Sequence, residues 1–201
     1  MWKVRLSLLA ILTMIGMILT VQEAAAGQYP HERKGVVAGL EIGHGGSQVE
    51  YLRNNQNFTS EEESGCALGL RVGYGFTNSF TLTLDGMGYC QDHHGEEYVM
   101  SSTVLMFTYY PDAGGFFLRA GFGGGRLESN RPEDDDDPLA VEFEENAGVL
   151  AFGLGYEWRL SKSLALGLAF DARGGVVEDF ADLQDITLGH GSLGLHCNLY
   201  F

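Results

Sequence analysis

Three groups of residues in this chain have the types and spacing for chemistry. His190-Gly191-Ser192 sets an imidazole and a hydroxyl two residues apart, which on an extended backbone puts both on one face. Hydrolysis through such a pair needs the hydroxyl beside a base that an acid orients, and no carboxylate is placed by spacing to be that acid. A second group, Asp92, His93, His94, Glu96 and Glu97, mixes imidazole and carboxylate donors of the kind zinc and other transition ions accept. Adjacent residues on a short loop rarely converge on one ion, so the plainer expectation is a polar hairpin tip. A third group is the acidic stretch from Glu128 to Glu145, in which Asp134, Asp135, Asp136 and Asp137 are consecutive. Such carboxylates can take up Ca²⁺ or Mg²⁺, but no calcium-loop spacing is present, and charge runs are usually solvated surface. None of these patterns calls for a cofactor.

What positions these groups is read from the ends inward. Met1-Trp2-Lys3-Val4-Arg5 is basic, residues 6-21 are apolar or small, and Ala24-Ala25-Ala26 closes the segment. The run is shorter than the ~20 residues a membrane helix needs, so residues 1-26 are expected to be a cleaved signal peptide. Removing them takes away Lys3, Arg5 and Glu23, a net +1, and moves the formal charge from -15 to -16. That balance disfavours nucleic acid, whose phosphates need clustered Lys and Arg, and favours cations and basic partners.

The rest of the chain alternates. Val36, Ala38, Leu40 and Ile42 are interleaved with Val37, Gly39, Glu41 and Gly43, which describes a strand with two chemically different faces. The pattern returns in Leu68 to Phe76, Phe80 to Leu84, Phe116 to Phe122, Leu150 to Trp158, Leu164 to Phe170 and Leu193 to Phe201. A further segment, about Tyr98 to Tyr110, is apolar on both faces and has no assignable register. Eight segments follow, with 27-33 as a short lead-in and 34-201 as one all-β domain.

The bulk sits on the wrong face for a soluble sandwich. The non-apolar face is mostly Gly, Ala and Thr with single charges, too small and too polar for a solvated exterior. It suits the axis of a narrow closed barrel, and the charge-free row of Leu, Phe, Val and Tyr suits lipid. The connections after segments two, four and six are short, whereas the others are longer and polar, as short periplasmic turns and longer external loops would be. The expected architecture is an eight-stranded antiparallel up-and-down transmembrane β-barrel in the bacterial outer membrane, with both termini periplasmic.

The interleaved residues put Glu41, Asp85, Glu157 and Asp171 inside with Arg71, Arg119, Arg159 and Arg173. The signs balance, and buried charges must be paired. If Thr77-Asn78-Ser79 is a three-residue turn centred on Asn78, Arg71 faces Asp85 and a direct cross-strand pair is expected. The same register sets Cys66 opposite Cys90 near the outer rim. Facing Cβ atoms ~4.5-5.5 Å apart exceed the ~3.8 Å of a relaxed disulfide, so a bridge needs local distortion, although an exported chain meets oxidising conditions. Cys197 is left over on the lipid face.

The chain resembles the OmpA/OmpX-type eight-stranded outer-membrane barrels over nearly all of 34-201. The most specific element is the C-terminus, where apolar residues including Leu199 alternate up to a terminal Phe201, similar to the signal read by the barrel-assembly machinery in that family. The resemblance implies contact with outer-membrane lipid and lipopolysaccharide and fixes no activity. His190-Gly-Ser192 also resembles the catalytic pair of outer-membrane lipid A deacylases, but here parity turns it inward, away from acyl chains. The expected role is therefore structural or surface-interacting, through acidic external loops that can also attract divalent cations. The alternatives are a lipid-modifying hydrolase on Ser192 and His190, or a narrow channel gated by the interior charges.

Overall fold

The computed structural model describes residues 31-53, 56-59, 63-93, 96-130, 143-177 and 183-201. The expected signal peptide, His94 and Asp134 to Asp137 lie outside them. The described residues form β1 (Gly35–Arg53), β2 (Gln56–Thr59), β3 (Glu63–Thr77), β4 (Phe80–His93), β5 (Glu96–Tyr109), β6 (Phe116–Asn130), β7 (Phe143–Arg159), β8 (Leu164–Val177) and β9 (Leu183–Tyr200). Each strand from β3 onward pairs with the next, all antiparallel, and β1 pairs with both β3 and β9, so the sheet closes on itself. β2 pairs only with the end of β1, from Glu50↔Thr59 to Arg53↔Gln56. Eight strands therefore make the wall, and β2 is a flap that the sequence pattern did not announce.

Among the described residues closure leaves no edge strand in the eight-stranded wall, which matters because an unpaired edge cannot be hydrated in hydrocarbon. At the seam Phe201 exchanges backbone bonds with Val36, at 3.1 and 2.9 Å. Gly35 allows this approach with φ at 113°, and a Cβ there would collide with the Phe201 carbonyl oxygen. Wall strands of 14 to 19 residues exceed the ~9-11 needed to cross a bilayer.

The wall is built as the alternation requires. Ile42, Leu68 and Leu195 expose 63, 62 and 61% of their surface, while Glu157 and Asp171 expose none. The same inversion runs round the barrel, with Val72, Leu84, Phe122, Phe152, Leu154 and Phe170 outward. A soluble protein would not leave such an area in water, so the band is read as facing lipid.

Two further details differ from the sequence expectation. The β3–β4 turn is the two-residue Asn78-Ser79, with Thr77 paired to Phe80 and a bulge between Gly75 and Thr77. The bulge absorbs the extra residue, so the register beyond it equals that of a three-residue turn. The unassignable segment, β5, turns Ser102, Val104, Met106 and Thr108 inward. Val104 and Met106 pack with Val149 and Ala151 as an apolar patch inside the barrel, which is why both faces of β5 look alike.

Candidate functional site

Inward glycines make the room that the charges fill. A Cβ on Gly153 would collide with Asp171 and Arg119, and one on Gly167 with the His196 ring. Two polar layers result.

The middle layer joins β1, β3, β4, β6 and β8. Arg119 grips Asp171 with two nitrogens, Nε at 2.6 Å from Oδ1 and Nη2 on Oδ2, and Nη2 also lies 2.9 Å from Glu41 Oε2. Arg71 donates to Glu41 and stands 3.6 Å from Asp85, its cross-strand neighbour. The Thr83 hydroxyl donates to Asp85. Arg71 and Asp85 thus face each other, but the closer partner of Arg71 is Glu41 on β1. Planar guanidinium forks suit this sharing of carboxylates between strands.

The lower layer closes the end that holds the short turns. Glu157 accepts from Arg33 Nε (3.2 Å), the Asn198 amide (2.9 Å) and the Tyr200 hydroxyl (2.7 Å). Arg33 also donates to the Asn78 carbonyl at 3.0 Å, Ala113 at 3.3 Å and Gly114 at 2.7 Å, and its guanidinium lies 3.5 Å over the Tyr110 ring. Arg159 stacks on Tyr200 at 3.8 Å and donates to the carbonyls of Glu32 and Lys162. These two arginines tie the lead-in to all three short turns.

Arg33 is the interior residue that the strand pattern missed. It precedes β1, and the expected balance of four acids and four arginines gains a fifth arginine. A signal existed: Arg33, Val37, Gly39 and Glu41 share odd numbers, so parity carried two places upstream of the strand turns Arg33 inward.

Nearer the other end, Arg173 donates to the Ser102 hydroxyl at 2.8 Å and faces His190 across strands. His190 stacks on Tyr89, ring centres 5.1 Å apart. His190 and Ser192 are both buried, yet among the described residues neither the ring nitrogens nor the hydroxyl has a partner, so they are not bonded to each other. Asp171, which faces Ser192, is taken by Arg119. The nucleophile–base–acid chain is therefore not assembled here.

Cys66 and Cys90 face each other as expected and are free thiols, both exposed; Cys197 is free and half-exposed on the same outward parity. His93 ends β4, and its side chain lies outside what the structure describes. Phe201 and Leu199 lie on the outward face, with Phe201 the more exposed. Among the described residues no three His, Cys, Asp or Glu side chains converge on one point.

No protein-family model matches the sequence, and no curated protein matches it. Solved structures do. Neisserial surface protein A superposes with a TM-score of 0.55 at 10% identity, over 84% of this chain and 98% of that one. Ail, the attachment invasion locus protein of Yersinia pestis, gives 0.49 at 14% identity, over 82% of this chain and 99% of that one. OprG, an outer-membrane protein of Pseudomonas aeruginosa, gives 0.45 at 11% identity, covering 85 and 99%. The likeness to the Neisserial protein is one of fold, and it agrees with the closed sheet, the outward apolar band and the ion-paired axis: this chain has the eight-stranded β-barrel fold of the bacterial outer-membrane type.

Proposed function

We propose that this protein is a non-catalytic outer-membrane barrel, with both termini periplasmic, whose external loops engage cations and partners at the cell surface. The observation that carries the reading is the paired axis. Glu41, Asp85, Glu157 and Asp171 are all buried and all bonded within the barrel, so the interior serves as a packed core. Eight strands leave room for little else. The remaining chemistry falls to the connections, which the sequence makes acidic around Glu133 to Asp137. Carboxylates in that density attract divalent cations, which also bridge lipopolysaccharide.

Deleting residues 131-142 tests this. The barrel should still fold, and Ca²⁺-dependent binding to lipopolysaccharide vesicles should drop; binding unchanged by the deletion would refute the loop reading. The full-length protein should leave lipopolysaccharide acyl chains intact, and acyl release that stops on Ser192→Ala would establish a hydrolase instead. Planar bilayers should stay silent, and stepwise conductance would establish a channel.

A further inference from the structure

His44, Cys66 and Cys90 lie side by side on the outer wall. His44 pairs with Cys66 across β1 and β3, Cys66 pairs with Cys90 across β3 and β4, and all three are exposed. Ile42 and Leu68, the next outward residues below His44 and Cys66, belong to the apolar band, while Gly46 and Ser64 follow above. The row thus sits where greasy side chains give way to small and polar ones. Two thiols in register, with an imidazole in register beside them, form a donor set that no packing role on this face requires.

We propose that Cys66 and Cys90 form a two-thiolate clasp for a soft, monovalent d¹⁰ cation such as Cu⁺ or Ag⁺, with His44 as a third donor at its edge. Thiolates select soft ions over the hard cations that carboxylates prefer. The spacing suits a bridging ion better than a bond between the sulfurs. Facing Cβ atoms stand ~4.5-5.5 Å apart, wider than the ~3.8 Å of a relaxed disulfide. Two metal–sulfur bonds of about 2.3 Å set the sulfurs roughly 4 Å apart at a three-coordinate ion and about 4.6 Å apart at a linear two-coordinate one, either of which spans that gap without moving the backbone. The three side chains do not converge as they stand, so the clasp closes by side-chain rotation, which exposed residues permit. Each thiol gives up a proton as the ion binds. A three-donor row is too few for a closed tetrahedral zinc site and sufficient for an ion content with two or three ligands.

Ag⁺ titrated into folded protein in detergent, in chloride-free buffer with excess N-acetylcysteine as monothiol competitor, tests the proposal. Wild type should retain one equivalent and lose maleimide reactivity at Cys66 and Cys90. Cys66→Ser and Cys90→Ser should each weaken retention at least about tenfold, His44→Ala by a smaller factor, and Cys197→Ser not at all. Heat-dependent gel mobility checks that each variant is folded. Retention untouched by Cys66→Ser, no retention by wild type, or a Cys66–Cys90 disulfide in protein isolated without reductant would each overturn it.

Discussion

Arg33 Nη2 stands 3.1 Å from Glu157 Oε1, both side chains wholly out of solvent, although 124 residues separate them in the chain. The contact fastens the lead-in to β7 and plugs the barrel's lower end. Removing Glu157 leaves the buried Arg33 without a carboxylate among the described residues, and removing Arg33 leaves Glu157 only Arg159 at 3.8 Å with the Asn198 and Tyr200 bonds; breaking a buried pair typically costs about 3-5 kcal/mol. Arg33→Ala and Glu157→Ala should each fall in that range by urea unfolding in micelles, followed through Trp158. The double variant should cost clearly less than the two together; simple additivity would mean the pair is not coupled.

Arg119 should matter more than Arg71. It holds two carboxylates, Glu41 and Asp171, and only Glu41 retains another arginine when it is lost. Removing Arg71 leaves Glu41 to Arg119 and Asp85 to Thr83. Arg119→Ala is therefore expected to destabilise by about 3-5 kcal/mol, with Arg71→Ala measurably milder in the same assay. The reverse order would contradict the sharing of Arg119 between strands.

Leu154 lies on the outward face of β7, midway between Leu150 and Trp158, and half its surface is exposed. If that face meets hydrocarbon, Leu154→Arg should cost about 2-4 kcal/mol in lipid vesicles. An exposed leucine in water would tolerate the change almost freely, so a negligible cost would argue that the band does not contact lipid.

His31 lies outside the barrel wall, within 3.3 Å of Arg33 Nη2. Burial, then the Arg33 charge, holds its pKa below the usual 6.5; Glu157 opposes and Arg159 reinforces that shift. The folded form thus prefers the neutral ring. Its contribution to stability is present above pH 6.5 and is lost as the pH falls through that value towards the depressed one. Cleavage after the exposed Lys34 should accelerate between about pH 7.5 and about pH 5. His31→Gln should flatten that dependence, and an unchanged profile would show that His31 does not help fasten the lead-in to the barrel.

How far the sequence reaches is clearest in β3 and β5. In β3 the faces differ so sharply, Leu68 to Phe76 against Gly69 to Gly75, that parity assigns outside and inside, and the turn at Asn78 then sets Arg71 opposite Asp85. In β5 the inward Val104 and Met106 pack with Val149 and Ala151 inside the barrel, and a face buried by protein reads the same as one buried by lipid. His190 and Ser192 show the other limit. Spacing puts them on one face, but whether an acid completes the set depended on where Arg119, from another strand, would reach.

The sequence by itself determined the alternation, the sidedness of the wall and the charges at the axis, because a strand's two faces follow from a period of two and hydrocarbon tolerates no charge. Only the tertiary structure decided the partners. Closing the sheet brings β1 against β9 and folds Arg33 into the mouth, and pairings across an axis depend on stagger and side-chain reach, which no local pattern encodes.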